Sequence, residues 1–486
     1  MTYAVLPFLV LALCLWLGRR TSTLIVIFAY LSVEGFLKLL SNYNPVVHVG
    51  IDVVVLGVAA WWALEAVLVQ RTGIPRLPWV RLIGIFAIWV LLELANPYSP
   101  GVLPSVASLK THLAAIPLYF MVPALVKDRR EVVRLLLALT LIACMPYAAA
   151  LAQYALGPAS VLDLSQRAWE NVSYYHEWRP FGTSAVAGGA SVMAFLFTPL
   201  ALVLLLLREV PPKARVVALI SLVLGAGAFI VSGVRQTTLG ALLAMLVLAG
   251  LLASRGRSRG VVALVTVLVL SVGTYLAVEA VLRPLSTEAV STDPRSPDIW
   301  RRQDVTERIL TLAQRGTYLQ SRAGALQVIT YRATRFPFGA GLGRTGSGAG
   351  TLLNQIRSTP QSARIQQEIL WADNYYADMI VETGIPGVVM MFVVMAGFLV
   401  GSARLARSAG DPVVAAAAAS LAGVFLAFLV ISWGSQPLQG NPTLAAFWAF
   451  AGLFAALQRM EANAPAGDAE AAPPPAELRV LPQPAR

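Results

Sequence analysis

An all-α, polytopic transmembrane bundle is the fold this chain predicts, and three observations predict it. Of its 486 residues, 57% are hydrophobic and only 13% are charged. Soluble globular proteins carry about 45–50% apolar and about 25% charged residues, so a cytosolic enzyme, a disordered scaffold and a disulfide-stapled secreted domain are all excluded. Apolar stretches of 18 or more residues recur from end to end, the length that spans a roughly 30 Å hydrocarbon core. The basic residues gather between those stretches. The net charge of +12 therefore reads as a record of membrane orientation, and no nucleic acid is expected as a partner. Cys14 and Cys144 fall inside apolar stretches and suggest neither a disulfide framework nor a metal site.

Taken in order, the spans are expected near 2–18, 22–40, 48–69, 81–97, 107–126, 132–153, 184–207, 216–233, 237–254, 261–282, 380–403, 412–434 and 442–458. The first has no basic n-region and no small-residue cleavage site, so it reads as a retained helix. Arg19-Arg20, Arg71/Arg76/Arg81, Lys127/Arg129/Arg130, Arg208/Lys213/Arg215, Arg255/Arg257/Arg259 and Arg404/Arg407 mark one side as cytoplasmic. Loops 41–47 and 435–441 on the other side carry no Lys or Arg. Thirteen spans put the N-terminus outside; twelve, with the first stretch peripheral, put both ends inside, and the C-terminus is cytoplasmic on either count. The expected organisation is transmembrane helices 1–10 over 1–282, a long periplasmic loop over 283–379, helices 11–13 over 380–458, and a disordered cytoplasmic tail over 459–486, rich in Ala, Pro and acidic residues. The long loop, with Trp300, Trp371, several tyrosines and a helix-like stretch at 301–318, reads as ordered.

Cations outside the cytoplasm run against the positive-inside pattern and need a reason. The long loop carries arginines from Arg295 to Arg364, among them Arg335 and Arg344, and not one lysine. Arginine grips phosphate with a planar, bidentate fork; the group therefore fits a phosphate-bearing ligand, or else codon bias with local ion pairs. Arg235 is more specific. It sits in Phe229-Ile-Val-Ser-Gly-Val-Arg-Gln-Thr-Thr-Leu-Gly240, at an external junction of two apolar spans where ionisable residues are functional candidates; a snorkelling helix-end arginine is the plainer reading. Ser232 and Gly233 before it let the backbone turn tightly. Arg179, in Trp178-Arg-Pro-Phe-Gly-Thr183, is a similar case. Gly341-Leu-Gly-Arg-Thr-Gly346 matches a dinucleotide-binding pattern, but no βαβ unit surrounds it, so it reads as a flexible backbone-exposing loop.

The stretch Ala372-Asp-Asn-Tyr-Tyr-Ala-Asp-Met-Ile-Val-Glu-Thr-Gly-Ile-Pro-Gly387 resembles the signature of the bacterial O-antigen polymerase and O-antigen ligase family, membrane glycosyltransferases of the GT-C type. That signature is a polar residue, Asn, a bulky or aromatic pair, then Glu-x-Gly-x-x-Gly entering a helix. Arg335-Phe-Pro-Phe-Gly-Ala-Gly-Leu-Gly343, Ser232–Arg235 and the Arg-Pro-Phe-Gly-Thr at 179–183 agree with it, and together the motifs cover about residues 175–400. The resemblance implies a donor glycan on undecaprenyl diphosphate at the periplasmic face of the inner membrane. The arginines matching the diphosphate grip are Arg235 and Arg179. Membrane lipids surround such a protein, and a chain-length regulator or export complex is the kind of partner implied. Ligases of this family typically carry His where this chain has Asp373, and the long loop has no histidine; His176 lies elsewhere. The departure favours a polymerase that builds lipopolysaccharide O-antigen or exopolysaccharide, or a related glycan transferase.

Apart from the family, transfer from a diphosphate donor needs a base for the acceptor hydroxyl and positive charge for the leaving group. Asp373 can serve as that base or as a helix N-cap. Arg235 stabilises the departing diphosphate. A single displacement inverts the anomeric centre, and with the leaving group already activated no metal and no cofactor is expected. Asn374, Tyr375 and Tyr376 fit sugar contacts or an interfacial aromatic belt; Glu382 fits a second polar contact or a partner for an arginine. Glu34 and Lys38, four apart on one helix, can neutralise each other, while Asp52, Glu65, Glu93, Lys110 and His112 either pair between helices or line the cleft. A flippase is the competing class. Transporters tend to show repeated halves and broken helices at the midplane, whereas the polar exceptions here concentrate at one face and in one asymmetric loop.

Overall fold

The computed structural model describes residues 2–66, 77–157, 177–254, 315–345 and 374–463, with further positions at 68, 159–162, 164–165, 262, 265, 269, 273 and 301–302. Most of the span expected at 261–282, the tail from 464 onward, Trp300, Trp371, His176 and Asp373 lie outside the described residues. Fourteen helices carry the architecture within them: α1 (Leu6–Leu17), α2 (Thr21–Leu40), α3 (Gly50–Glu65), α4 (Val80–Leu92), α5 (Val102–Leu113), α6 (Pro117–Leu125), α7 (Arg129–Leu156), α8 (Gly189–Leu206), α9 (Pro212–Ser232), α10 (Arg235–Ala253), α11 (Arg315–Arg335), α12 (Tyr375–Ser408), α13 (Pro412–Ile431) and α14 (Thr443–Ala462). Nine of the helical segments described are long and apolar enough to cross a membrane, with α5 and α6 forming one of them around a turn at 114–116. The fold is an all-α polytopic bundle, as the composition predicts. Helices α1, α3 and α4 are apolar but shorter, at 12, 16 and 13 residues.

Local chemistry sets the helix ends. The Asp128 carboxylate accepts from the Arg130 and Glu131 amides at the start of α7, and Asp411 accepts from Val413 and Val414 at the start of α13. Each cap contributes about 1 kcal/mol. Pro117, Pro212 and Pro412 occupy the first helical position of α6, α9 and α13, where a missing N–H costs nothing. Helices α8, α13 and α14 are the most enclosed. Small side chains permit it: α13 opens on the run 415–419 of alanines, and at Gly423 a Cβ would fall 2.4 Å from the Ala244 carbonyl oxygen of α10. Larger rings fill the remaining space. Phe398, Phe425 and Phe447, from α12, α13 and α14, meet with centroids 5.5, 6.2 and 5.7 Å apart.

Two expectations are corrected. Arg301–Arg302, expected to open a helix-like stretch, are extended and pair in parallel with Glu177–Trp178; residues 303–314 of that stretch lie outside the described residues, and a helix of the long loop runs over Arg315–Arg335. Phe336-Pro337 explains where α11 stops, because a residue before proline is pushed out of helical conformation. Helix α12 begins at Tyr375, five residues before the span expected at 380.

Helix α12 is also broken. Gly384 adopts φ 70° and ψ −175°, and Pro386 two residues on has no N–H to continue the ladder. The break frees backbone groups, which in an apolar surround must find partners inside the protein. They do. The Ile385 amide turns away from Val381 and donates to the Pro337 carbonyl at 2.9 Å, and the Ala340 amide donates to the vacated Val381 carbonyl at 2.6 Å. The Thr383 carbonyl accepts from the Trp89 indole of α4 at 2.7 Å. Residues 337–340 thus fill the gap in α12 as a splint.

Gly384→Ala should fail to hold this splint. Its Cβ would lie 2.4 Å from the Phe338 carbonyl carbon, and the left-handed backbone alone costs about 1–3 kcal/mol. Thermal unfolding in detergent should show a clear loss, whereas Gly250→Ala on α10, with open space around it, should be neutral or stabilising by up to about 1 kcal/mol.

Candidate functional site

Polar side chains concentrate at one end of the bundle, and helix packing brings them there. Gly240, five residues into α10, packs on Ile431 at the end of α13, so the first turn of α10 and the α13–α14 turn share that end. The start of α12 joins them: the Tyr375 amide donates to the Ser432 and Ser435 carbonyls, both at 3.1 Å, and Asn374 Nδ2 donates to the Trp433 carbonyl at 2.9 Å.

Two carboxylates one turn apart on α12 organise this end. Asp378 and Glu382 are 1% and 2% exposed. Asp378 Oδ1 pairs with Arg332 of α11 at 2.9 Å, while Oδ2 accepts from Gln439 at 3.1 Å and from Gln436. Glu382 Oε2 accepts from Ser108 Oγ at 2.6 Å and lies 2.8 Å from His112 Nε2, both on α5. Its Oε1 accepts from the Gly343 and Thr345 amides at 3.0 and 3.3 Å. Gly339, Gly341 and Gly343 all have positive φ, which turns alternate amides of the loop inward. The Gly341 amide goes to Glu93, which also accepts from Asn96 at 2.7 Å. The glycine-rich loop is therefore an anion cradle of the kind that binds phosphate elsewhere, here filled by the protein's own acids.

The sequence-derived candidates separate into two groups. Arg235 is the first residue of α10, exposed, at a corner where Gly233 (φ 58°, ψ 24°) ends α9 in the left-handed conformation. No side chain caps α10, and Arg235 makes no hydrogen bond or ion pair among the described residues. Arg179 is half-buried beside the same corner: a Cβ on Gly188 would meet both Val234 and the Arg179 Cδ. The start of α10, which carries Arg235, and the Arg179 side chain thus lie close together, a combination that favours an anion.

The other candidates are engaged within the fold. Asn374, not Asp373, caps α12: its Oδ1 accepts from the Ala377 amide at 3.0 Å. Tyr376 is buried, its hydroxyl donating to the Leu429 carbonyl and its ring packed on Tyr375, Phe392 and Trp433. Arg344 Nε donates to the Tyr98 and Ala340 carbonyls. Arg335 lies exposed at the end of α11, its guanidinium 5.9 Å from the Phe336 ring. Glu382 satisfies a histidine, a serine and two amides; the carboxylate that neutralises an arginine is Asp378. The pairs Glu34–Lys38 at 2.9 Å, Asp52–Lys110 at 2.8 Å and Glu65–Arg19 at 3.3 Å are formed.

Asp378, Arg332 as its partner, Ser108, Gln436 and Gln439 were not singled out by the sequence. The available signal was spacing: Asp378/Glu382 and Ser108/His112 are both i,i+4 polar pairs inside apolar segments.

Fold and site together define a multi-pass membrane protein with an enclosed polar end and an arginine corner beside it. Residues 220–392, from within α9 to past the break in α12, match the family described as O-antigen ligase. The match bears out the resemblance to O-antigen polymerases and ligases, which are glycosyltransferase-like enzymes, and does not distinguish polymerase from ligase. No curated protein matches the chain.

Glu382→Ala should strip two backbone amides, a hydroxyl and an imidazole of their shared acceptor. Each unsatisfied buried group costs about 1–3 kcal/mol, so thermal unfolding in detergent should fall sharply. Arg335→Ala, which removes only an exposed ring contact, should stay within about 0.5 kcal/mol of wild type.

Proposed function

We propose that the protein polymerises undecaprenyl-diphosphate-linked oligosaccharide repeat units by inverting glycosyl transfer at the periplasmic face of the inner membrane. The observation that carries this reading is Arg235. It stands exposed at the uncapped start of α10, with no counter-ion among the described residues, inside the segment matching the family model. A membrane protein keeps such a charge where a ligand neutralises it.

In this reading the donor's diphosphate lies against the α9–α10 corner, held by Arg235 and Arg179 and by the amides at the start of α10. Asp373, next to the Asn374 cap, accepts the proton of the acceptor hydroxyl. The hydroxyl oxygen bonds to the anomeric carbon as the carbon–phosphate oxygen bond breaks, inverting that centre. The bonding pair leaves with the lipid diphosphate, whose growing charge the arginines stabilise. Arg335 and Arg344, on the loop side, border the space for the glycan. The cytoplasmic C-terminus follows from the charge of the loops.

A second reading, transfer of finished glycan to a lipid acceptor, is favoured by the matched family's own description as O-antigen ligase; the absence of histidine from the long loop favours polymerisation.

Arg235→Ala and Asp373→Asn should each leave the protein folded in the membrane and lower product by about 100-fold or more, the range seen when a charge-stabilising donor is lost. The check is the size profile of surface polysaccharide in a deletion strain complemented with each variant. Single repeat units on the final acceptor support polymerisation. Long polymer held on its lipid carrier would mean ligation, units trapped on the cytoplasmic side would mean a flippase, and full activity in either variant would remove that residue from the mechanism.

A further inference from the structure

Asp378 is a buried charge that the proposed reaction does not use. Both its oxygens are engaged by side chains from other elements: Arg332 of α11 on Oδ1, Gln436 and Gln439 of the α13–α14 turn on Oδ2. Arg332 is 4% exposed. Burying two charges recovers little net stability over a well-packed apolar pair, and its best-attested use is to specify one arrangement among several. Here the arrangement is that of three separate pieces of chain. Helix α11 belongs to the long arginine-rich loop, α12 carries most of the signature, and the α13–α14 turn lies at the same end as the first turn of α10, because Gly240 packs on Ile431. Thr345 Oγ1 adds a bond to the Asp378 carbonyl, tying the glycine loop to the same point.

We infer that Asp378 is a positioning residue for the donor site, one that locks α11, the start of α12 and the α13–α14 turn together at the end of the bundle where α10 begins with Arg235. It touches no substrate; it acts through Arg332 and the two glutamines. The inference rests on the proposed reading of Arg235 as a diphosphate grip. It also accounts for why the ion pair is ringed by glutamines, whose amides satisfy the second carboxylate oxygen without adding charge.

The test uses full-length protein in detergent and undecaprenyl diphosphate alone as the probe, with Kd read by ligand-dependent thermal shift. Asp378→Asn should weaken binding by about 10-fold, the charge swap Arg332→Asp with Asp378→Arg should recover most of it, and Gln439→Leu should fall between. If Asp378→Asn fails to fold, the swap and Gln439→Leu carry the comparison. Wild-type affinity in Asp378→Asn, or in Gln439→Leu when Asp378→Asn is not folded, overturns the positioning role. So does a swap that folds yet binds no better than the single variants. A wild-type protein that does not bind undecaprenyl diphosphate overturns the functional reading itself, a separate failure recognised before any variant is compared.

Discussion

The Glu382 carboxylate, shared by two backbone amides, a serine and a histidine, is the constraint on which the polar end of this bundle depends. A broken helix in an apolar medium is tolerated only when the protein itself satisfies the freed backbone. Residues 337–340 do so, and they reach the break because their chain continues into a glycine loop anchored on Glu382. Remove the anchor and the splint has no fixed register; remove the break and the loop has no slot. The Glu-x-Gly-x-x-Gly pattern and the Phe-Pro-Phe-Gly-Ala-Gly-Leu-Gly pattern are two halves of one joint.

The joint also explains what the glycine loop is not. Its inward amides form an anion cradle, the feature that makes such loops bind nucleotides, but the anions are Glu93 and Glu382. The arginines around it divide by the same logic. Arg332 is spent on Asp378, and Arg344 on carbonyls. Arg235 starts α10 at a helix corner that offers amides and no acid among the described residues. A positively charged corner beside an internally neutralised joint suits a membrane protein whose ligand brings its own negative charge.

Much of the fold was legible in the sequence because membrane burial leaves a coarse signal. Runs of apolar residues locate the helices, and the pairing of Glu34 with Lys38 follows from their spacing of four. The corner at Ser232–Arg235 was legible too, since Ser-Gly before an arginine between apolar runs implies a tight turn, and Gly233 makes it. What could not be read were partnerships across the chain. Asp378 drew no reading because hydropathy set the onset of α12 at 380, while Asn374 starts the helix by capping it. Glu382 and His112 are 270 residues apart, and nothing local in either sequence segment names the other. Tyr376 and Asn374 looked like sugar contacts because motif residues draw functional readings, yet their polar atoms close hydrogen bonds inside the fold.

The central proposal is that this chain joins lipid-linked repeat units. Its most direct test is to reconstitute the purified protein in vesicles with undecaprenyl-diphosphate-linked repeat units and no other protein, then resolve the lipid-linked products by size. The account predicts a ladder rising in steps of one repeat unit, with undecaprenyl diphosphate released at each step. Repeat units that remain single, with no undecaprenyl diphosphate released, would contradict it.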